Sequence, residues 1–424
     1  MESVLSNPSL TARPVTTIVT ATLNQLSAIS KPQRKFVAAL LTTILALRGR
    51  VNYRNLARYG KYSERTYARQ FESPFPWLEY HAKMIRSTLP TTHELIAAQD
   101  ASFIPKSGQQ TFGLGQFYNG CASRPERGLE ISALAVVDVR QKGAYVASVE
   151  QTLPAPPLKK GQPETTRLDQ AIKQMQTVRP HLPEVVKHLA ADGWYANHKY
   201  IDAALGVGLH VVTKLRGDAN MRFRYTGERT GQRGRPKTYD GKVDWQDLSR
   251  FDQVDLSTLA LEVGPRIEVY TAELYHVTIK RWMRTVVLVW HTADGNRHHA
   301  ILATTDPTAT AGDVLRIYQA RFQLEFLFRD GKQHAGLTEC QARNKEALDF
   351  HFNTSLATVS AARAAAVAEQ TGQEPLVFSL ATQKQIAFNE HLMAEISAKF
   401  GYNLSRWKKH PAYEELRRYG ALAA

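Results

Sequence analysis

One helix-length segment limits what this chain can fold into more than any other part of its sequence. Residues 318–332, YQARFQLEFLFRDGK, place four side chains at offsets of 0, 3, 7 and 14: Tyr318, Arg321, Glu325 and Lys332. At about 100° per residue all of them lie within roughly 60° of Tyr318 on one helix face, and Arg329 joins them. Apolar residues flank this face, so the sequence predicts a mostly buried helix over 311–332 with one charged stripe.

A charged stripe on an apolar helix has two explanations. Arg321 and Glu325 are four residues apart, so they can form an ordinary ion pair along the helix. The other explanation is a functional site, and two further segments favour it. Asp100 follows the apolar stretch LIAAQ, and Asp192 follows HLAA, so each aspartate is expected at the end of a strand. An aspartate there commonly begins a turn, but two of them facing a helix glutamate also build a set of oxygen ligands.

Three carboxylates arranged in this way suit a hard divalent cation. Mg²⁺ prefers oxygen ligands and keeps several waters for substrate phosphates. Two such ions about 4 Å apart clamp an in-line attack on phosphorus. The pattern therefore makes Asp100, Asp192 and Glu325 candidate metal ligands, with the basic groups of the helix face holding a phosphate backbone.

The net charge of the chain favours a polyanionic partner. Lys and Arg total 54 against 39 Asp and Glu among 424 residues, which gives a formal charge of +15. Nucleic acid is the leading partner class, ahead of a membrane surface. The longest apolar run, residues 36–47, is too short to span a bilayer, and residues 1–20 show no signal-peptide pattern. Because the two cysteines suggest neither a disulfide framework nor a zinc site, we expect a cytoplasmic protein.

Hydrophobic periodicity divides the chain into regions of different character. Residues 1–90 predict helices, including a short pair that turns at Gly60 and restarts after Ser63. This basic pair is either a helix-turn-helix that binds DNA or a pair that packs on another element. Residues 91–212 predict a mixed α/β domain in the order β-β-β-α-β-α-β. Residues 213–303 predict a β-rich insertion, and the chain is expected to be helical from 311 to its end.

The spacing on the signature helix resembles that of a known enzyme family. Tyr318, Arg321, Glu325 and Lys332 match the Y-x2-R-x3-E-x6-K signature of bacterial insertion-sequence transposases of the cut-and-paste type, whose three carboxylates are called a DDE triad. The stretches DASFIPKSG and DGWY, which begin at the two aspartates, are similar to the family as well.

This resemblance implies an α/β fold with a ribonuclease-H-like mixed-sheet catalytic domain. That domain would comprise residues 91–212 and 304–345, interrupted by the β-rich insertion over 213–303. Helical regions would flank it, a DNA-binding one over 1–90 and a C-terminal one over 346–424.

The resemblance also implies roles for residues and partners. Asp100, Asp192 and Glu325 would be the catalytic carboxylates and would bind Mg²⁺, for which Mn²⁺ can substitute. The partners would be double-stranded DNA, namely transposon terminal inverted repeats and target DNA, and a second copy of the chain in a synaptic homodimer, with no membrane. The setting would be the bacterial cytoplasm, at the nucleoid. The residues expected to bind DNA are Tyr318, Arg321, Arg329, Lys332 and Lys106.

A basic loop in the predicted insertion adds a further DNA-binding candidate. Arg233 and Arg235 lie in the sequence RGRP, a core that can lie extended in a narrow, AT-rich minor groove. A solvated, flexible loop explains the same residues equally well.

Three functions follow from these patterns. The first is a transposase that cleaves transposon ends and joins the 3′-OH to target DNA. The second is a structure-specific nuclease on the same fold, and the third is an inactive, transposase-derived DNA-binding protein. The three carboxylates favour an active enzyme, because a protein that only binds DNA has no physical need for them.

Overall fold

One mixed β-sheet organises the chain. The computed structural model describes residues 14–154, 165–228, 236–258, 267–370 and 376–422. Arg233 and Arg235, the predicted minor-groove residues, lie outside these ranges, so their role stays a prediction. Within the described ranges no helix is both long and apolar enough to cross a bilayer.

The strands that carry the two aspartates form the first half of the sheet. Their order is β4-β3-β1-β5-β6, in which β1, β5 and β6 are parallel and β3 is antiparallel to its neighbours on both sides, β1 and β4. A short further strand, β2, pairs with β3. This topology confirms the predicted mixed α/β, ribonuclease-H-like fold. The strands and their connecting helices are β1 (Leu95–Pro105), β2 (Gly115–Asn119), β3 (Arg124–Asp138), β4 (Gly143–Thr152), α6 (Arg167–Val178), β5 (His188–Ala191), α7 (His198–Gly206) and β6 (His210–Leu215).

The β-rich segment that follows continues the same sheet. Its last strand, β12, pairs antiparallel with β6, from Ile301 opposite Leu215 to Thr304 opposite Val212. Strands β11 and β10 then extend the sheet outward through the alternating, β-branched sequence RTVVLVWH. The limits predicted for the insertion, residues 213 and 303, fall inside β6 and β12. The strands are β7 (Met221–Arg224), β8 (Tyr239–Lys242), β9 (Asp252–Gln253), β10 (Ile267–His276), β11 (Arg281–His291) and β12 (Arg297–Thr304).

Helices precede the sheet, as predicted. The short pair over 53–59 and 64–71 forms where the sequence places it, and the Ser63 side chain caps the second helix by accepting from the Thr66 amide. A Cβ on Gly60 would stand 2.1 Å from the Tyr67 hydroxyl, so this turn requires a glycine. Tyr67 and Phe71 are buried, while the basic side chains of this pair point outward. The helices are α1 (Pro14–Asn24), α2 (Lys31–Ala46), α3 (Tyr53–Tyr59), α4 (Glu64–Phe71) and α5 (Trp77–Thr88).

One long helix connects the N-terminal helices to the sheet. Helix α10 is rich in small apolar residues, is buried over most of its length, and contacts β4 as well as α1, α2 and α4. A helix that is apolar on all sides is expected in a core, and here α10 packs between the N-terminal helices and the sheet. The helices after the sheet are α8 (Ala311–Ala320), α9 (Phe322–His334), α10 (Lys345–Glu369), α11 (Leu380–Lys399), α12 (Leu404–Trp407) and α13 (Pro411–Arg417).

A buried histidine in this joint makes the stability of the fold depend on pH. The His81 ring on α5 lies 3.1 Å from the Asn353 side-chain oxygen on α10, and its second nitrogen has no hydrogen-bond partner within the described residues. Burial lowers the pKa of His81 to about 4. An unfolded histidine takes up its proton near pH 6.5, so the unfolded chain binds more protons than the folded one between these two values.

We predict that His81→Gln removes part of the acid sensitivity of the fold. For the wild type, the free energy of unfolding should fall by up to about 3 kcal/mol on this account between pH 7 and pH 4. Glutamine keeps a donor for Asn353 and does not titrate. Urea titrations at pH 7, 5.5 and 4.5 measure the difference, with the exposed His291→Gln as the matched control. Equal pH dependence of the wild type and His81→Gln would contradict this assignment.

Candidate active site

Asp100 and Asp192 lie side by side on neighbouring parallel strands. Strands β1 and β5 are in register at Gln99 and Ala191, so the next residue on each chain segment is one of the two aspartates. Asp192 ends its strand, as predicted, and its Oδ1 accepts from the Trp194 amide at 2.5 Å in a short 3-10 turn. Asp100 differs from the expectation, since β1 continues past it. Parallel neighbours about 4.8 Å apart place both carboxylates at one region of the sheet.

The third carboxylate, that of Glu325, is linked to Asp100 because both accept hydrogen bonds from the guanidinium of Arg321. Nη1 of Arg321 donates to Oδ2 of Asp100 at 2.9 Å, and Nη2 donates to Oε1 of Glu325 at 2.8 Å. The side chains of Arg321 and Asp100 are 8% and 19% exposed, whereas that of Glu325 is 44% exposed. The ion pair between Arg321 and Glu325 along the helix therefore exists, but it is one half of a cluster that ties the helix to β1.

The signature helix is interrupted at Arg321. The Arg321 amide donates to the carbonyl of Tyr318, three residues back, so the helix tightens locally between α8 and α9. The backbone of Arg321 keeps helical angles, and α9 continues through Lys332. The expectation that apolar residues bury both flanks of the charged stripe was wrong on one side. Phe322 and Phe326 are 44% and 41% exposed there.

Burial and the neighbouring charges together set the pKa values in this cluster. Burial raises the pKa of Asp100 to about 6; Arg321 opposes this shift, and the nearby Asp192 and Glu325 add to it. Burial also raises the pKa of Tyr318, which senses Asp192 and Glu325 as well. Although burial disfavours its charge, Arg321 has a raised pKa because of Asp100, Tyr318 and Glu325. The guanidinium of Arg321 thus lies between two of the three carboxylates, and the third, Asp192, is close enough to affect the pKa of Asp100.

The donor set of this cluster is of the chemical type that binds a hard divalent cation. Three carboxylates offer the oxygen ligands that such ions prefer. Burial is the main cause of the raised pKa of Asp100, and a bound cation would oppose the smaller contribution of Asp192 and Glu325. In the structure the guanidinium of Arg321 supplies positive charge between two of them. Within the described ranges no group of three or more His, Cys, Asp or Glu side chains stands in metal-binding geometry.

A cleft of about 700 Å³ opens beside the aspartates. Asp100, Asp192 and Lys332 line it, so the structure brings Lys332, at the far end of the signature, to the same cavity. Burial lowers the pKa of Lys332. Tyr318, Arg321 and Glu325 are not among the described residues that line this cavity. Arg321 is connected to its wall through the hydrogen bond to Asp100.

The opposite wall of the cleft contains residues that the sequence did not single out as functional. Arg167 forms an ion pair with Glu130 at 2.9 Å, and its guanidinium lies 5.5 Å from the centre of the Trp194 ring. Trp194 is 48% exposed although it is a large aromatic side chain. Tyr118 lines the same wall. The available sequence signal was Glu130, a lone charge inside the apolar strand GLEISALAVV.

Two predicted DNA-binding residues lie away from this cavity's lining. Arg329 is exposed, pairs with Asp330 at 3.0 Å and lies 4.8 Å from the centre of the Phe326 ring. The ammonium of Lys106 donates to the backbone carbonyls of Cys340 and Ala342 at 2.5 and 3.0 Å, on the wall of a different cleft.

A buried network of polar side chains fixes the position of strand β1 beneath the cleft. The Gln99 side chain, next to Asp100, donates to Gln174 on α6 at 3.0 Å and accepts from the Tyr200 hydroxyl at 2.6 Å. Ser132 on β3 donates to the same Gln174 oxygen at 2.7 Å. Because the members satisfy one another, the network fixes α6 and α7 against the strand that carries Asp100.

A comparison with known protein families identifies the superfamily of the chain. A family model described as DDE superfamily endonuclease matches residues 23–273, which is more than half of the chain. Asp100 and Asp192 fall inside the matched region, and Glu325 lies beyond it, so the position of Glu325 rests on the geometry described above. A search of curated proteins finds no significant match.

We predict that, in the absence of metal ions, the stability of Asp100→Asn relative to the wild type increases as the pH rises. The folded pKa of Asp100 is about 6, above an unfolded value of about 3.9, so the folded state binds more protons between these values. The wild type therefore loses stability through Asp100 as the pH rises from 4 to 6, by about 3 kcal/mol. The variant lacks this loss, and its stability relative to the wild type should rise over the same window.

Chemical denaturation in the presence of a chelator, at several pH values from 4 to 7.5, tests this difference. Asp218→Asn, which alters an exposed carboxylate outside the cleft, is the control and should track the wild type. A constant difference between Asp100→Asn and the wild type across the pH range would show that Asp100 does not titrate abnormally.

Proposed function

Because the chain belongs to the DDE superfamily of endonucleases, we propose that it is a DNA transposase that cuts transposon ends and joins them to target DNA. The observation that carries the proposal is the arrangement at Arg321. Its guanidinium holds Asp100 of β1 and Glu325 of α9 together, next to Asp192 of β5. The superfamily uses divalent metal ions and acts on DNA, and the formal charge of +15 suits that substrate.

Asp100, Asp192 and Glu325 are proposed to hold Mg²⁺, or Mn²⁺ in its place. When bound, such ions neutralise charge on a phosphate and make an attacking oxygen more nucleophilic. In the proposed reaction, a water oxygen attacks phosphorus, the bond from phosphorus to the 3′ oxygen breaks, and that oxygen leaves as a 3′-OH. The 3′-OH then attacks a phosphodiester of the target strand and displaces a new 3′-OH.

The cations of the signature helix are proposed to position the phosphates for this reaction. Arg321 donates through its two terminal nitrogens to Asp100 and Glu325, and a guanidinium group can bind a phosphate through two N–H groups in the same way. Lys332 places a point charge in the cleft, and Tyr318 adds a hydroxyl close to the carboxylates. Arg329 is exposed on the same helix and would contact DNA outside the cleft.

The remaining partners are proposed on the basis of exposed surface. The pair α3–α4 turns basic side chains outward and is proposed to bind the terminal inverted repeat. The C-terminal region exposes Phe400, Tyr402 and Tyr419 at 70%, 56% and 76%, and exposed aromatic groups of this size are typical of protein interfaces. We propose that they contribute to a homodimer that synapses two DNA ends at the nucleoid, in the bacterial cytoplasm.

We predict that Asp100→Asn, Asp192→Asn and Glu325→Gln each abolish both cleavage and strand transfer while DNA binding survives. Each change removes one oxygen ligand with little change in shape. The substrate is a duplex that carries the inverted repeat flanking the coding sequence, and a supercoiled plasmid serves as target. Sequencing gels measure cleavage, and plasmid joining measures strand transfer.

The outcomes separate the three functions considered from the sequence. Asp218→Asn, the exposed control, should cleave and join like the wild type. Cleavage without joining by the wild type would identify a nuclease. Binding without cleavage in the presence of Mg²⁺ or Mn²⁺ would identify an inactive DNA-binding protein. Normal cleavage by any one of the three variants would remove that residue from the catalytic set.

We predict that Arg321→Lys lowers the rate of DNA cleavage far more than Lys332→Arg does. A lysine cannot bridge Asp100 and Glu325 through two nitrogens, and a phosphate displaced by about 1 Å can cost on the order of 10²-fold in rate. Cleavage per folded molecule and thermal stability are measured together for both variants. If Arg321→Lys loses only stability and turns over normally once folded, Arg321 is a structural ion-pair residue and has no role at the phosphate.

A further inference from the structure

A second cleft, separate from the one that contains the aspartates, lies where three loops meet. It has a volume of about 720 Å³ and is formed by residues 50–52 before α3, residues 105–111 after β1 and residues 338–343 after α9. Arg50, Lys106 and Arg343 contribute three cations to its wall, and among the described residues that line it Glu339 is the one acidic residue. The wall is therefore basic, and the roles given above to the signature residues do not use it.

The charges of this cleft are available to a ligand. Arg50 and Arg343 are exposed, and neither forms an ion pair within the part of the chain that the structure describes. The Glu339 carboxylate accepts a hydrogen bond from the Val51 amide at 2.6 Å, so the backbone already uses part of its hydrogen-bonding capacity. Two guanidinium groups without an ion pair in the described residues fit a chain of phosphates, to which arginine binds through two N–H groups. Lys106 adds its positive charge, although its ammonium also donates to two backbone carbonyls.

The three loops are held in place before any ligand arrives. The Lys106 ammonium fastens the loop after β1 to the carbonyls of Cys340 and Ala342. The Asn55 side chain donates to the carbonyls of Arg48 and Arg50, both at 2.8 Å, and so fixes the loop before α3. A cleft that is already ordered loses little conformational entropy on binding, which favours a binding role over a chance gap between loops.

Two elements lead directly from the catalytic cleft to this second cleft. Strand β1 passes from Asp100 to Pro105, about 17 Å at 3.4 Å per residue. Helix α9 passes from Glu325 through Lys332 to the loop that carries Arg343. If the span follows the DNA axis, along which phosphates of one strand rise by about 3.4 Å each, it corresponds to about five nucleotides.

The second cleft also adjoins the basic helical pair. After Arg50 the chain enters α3 and α4, which expose a row of cations without an ion pair in the described residues: Arg54, Arg58, Lys61, Arg65 and Arg69. Exposed cations therefore occur both in the second cleft and on the helical pair that follows it in the chain. Lysine and arginine clustered in one part of a surface are the electrostatic footprint of a nucleic-acid backbone.

We propose that the second cleft, through Arg50, Arg343 and Lys106, binds the sugar-phosphate backbone of the DNA end about five nucleotides from the phosphate that is cut. This inference rests on the proposed function, since it assumes that DNA occupies the catalytic cleft. The contact is to phosphates and therefore does not depend on base sequence. It sets how far the cut lies from the repeat that α3–α4 engage.

The test combines charge removal with DNA length. The double variant Arg50→Gln/Arg343→Gln is compared with the wild type on two duplexes that share the cut site. One extends about 3 base pairs beyond the site into the repeat, and the other extends about 15. The matched control, Arg140→Gln/Lys187→Gln, removes two exposed cations near the ends of β3 and β5 that lie opposite to the aspartates. Thermal unfolding verifies that all variants are folded, and Arg50→Lys/Arg343→Lys tests rescue by charge.

If the second cleft binds two phosphates, the Gln double variant should bind the long duplex roughly tenfold more weakly near 0.1 M salt. The slope of log affinity against log salt should shrink by about 1.8. The short duplex should bind equally well to all variants, and the Lys double variant should recover most of the loss. Wild-type affinity and slope for the long duplex in the Gln double variant would overturn the inference.

A chemical probe separates that failure from failure of the proposed function. The exposed Cys121 lines the catalytic cleft, so bound DNA should slow its alkylation in the wild type and in every variant. Protection of Cys121 together with an unchanged salt slope in the Gln double variant rejects the second cleft alone. Full reactivity of Cys121 under saturating DNA rejects DNA in the catalytic cleft, and therefore both proposals.

Discussion

A single buried cation decides the geometry of the candidate active site. Arg321 lies between a strand carboxylate and a helix carboxylate, and neither Asp100 nor Glu325 contacts another basic side chain as closely in the described part of the chain. Burying an unpaired charge costs several kcal/mol, so the chain can bury Arg321 only with both segments in place. The arrangement of sheet against signature helix and the clustering of acidic groups are thus consequences of the same interaction.

Much of the fold could be predicted because its signals are local. Periodicity predicts the helical pair around Gly60, the strands of the β1–β6 region and the helices from α8 onward, and Ser63 marks the start of the second helix of the pair. Strand β2 was missed, since five residues among glycines carry too little alternation to reveal a strand. That Asp100 lies within a strand was also hidden, because burial on β1 comes from neighbours that are distant in sequence.

The site could be predicted only in part, because many of its contacts join residues that are far apart in the sequence. The spacing of Arg321 and Glu325 is visible along one helix, but the link to Asp100 spans 221 positions and appears only in the folded protein. Arg167 and Trp194 come together only because α6 and the turn after β5 meet at the cleft. The second cleft is less predictable still, because its cations come from three loops with no shared motif.

The last strand of the β-rich insertion pairs with β6, and this pairing has a consequence for synthesis of the protein. Strand β6 ends at Leu215, and its partner β12 begins at Arg297, about 80 residues later. At roughly 5–20 residues per second, the ribosome leaves one edge of β6 unpaired for about 4–16 s, with its amide and carbonyl groups open to other strands. The nascent chain is therefore most prone to aggregate in that interval. A chaperone that shields β-edges should matter more for producing this protein than for keeping the finished fold intact.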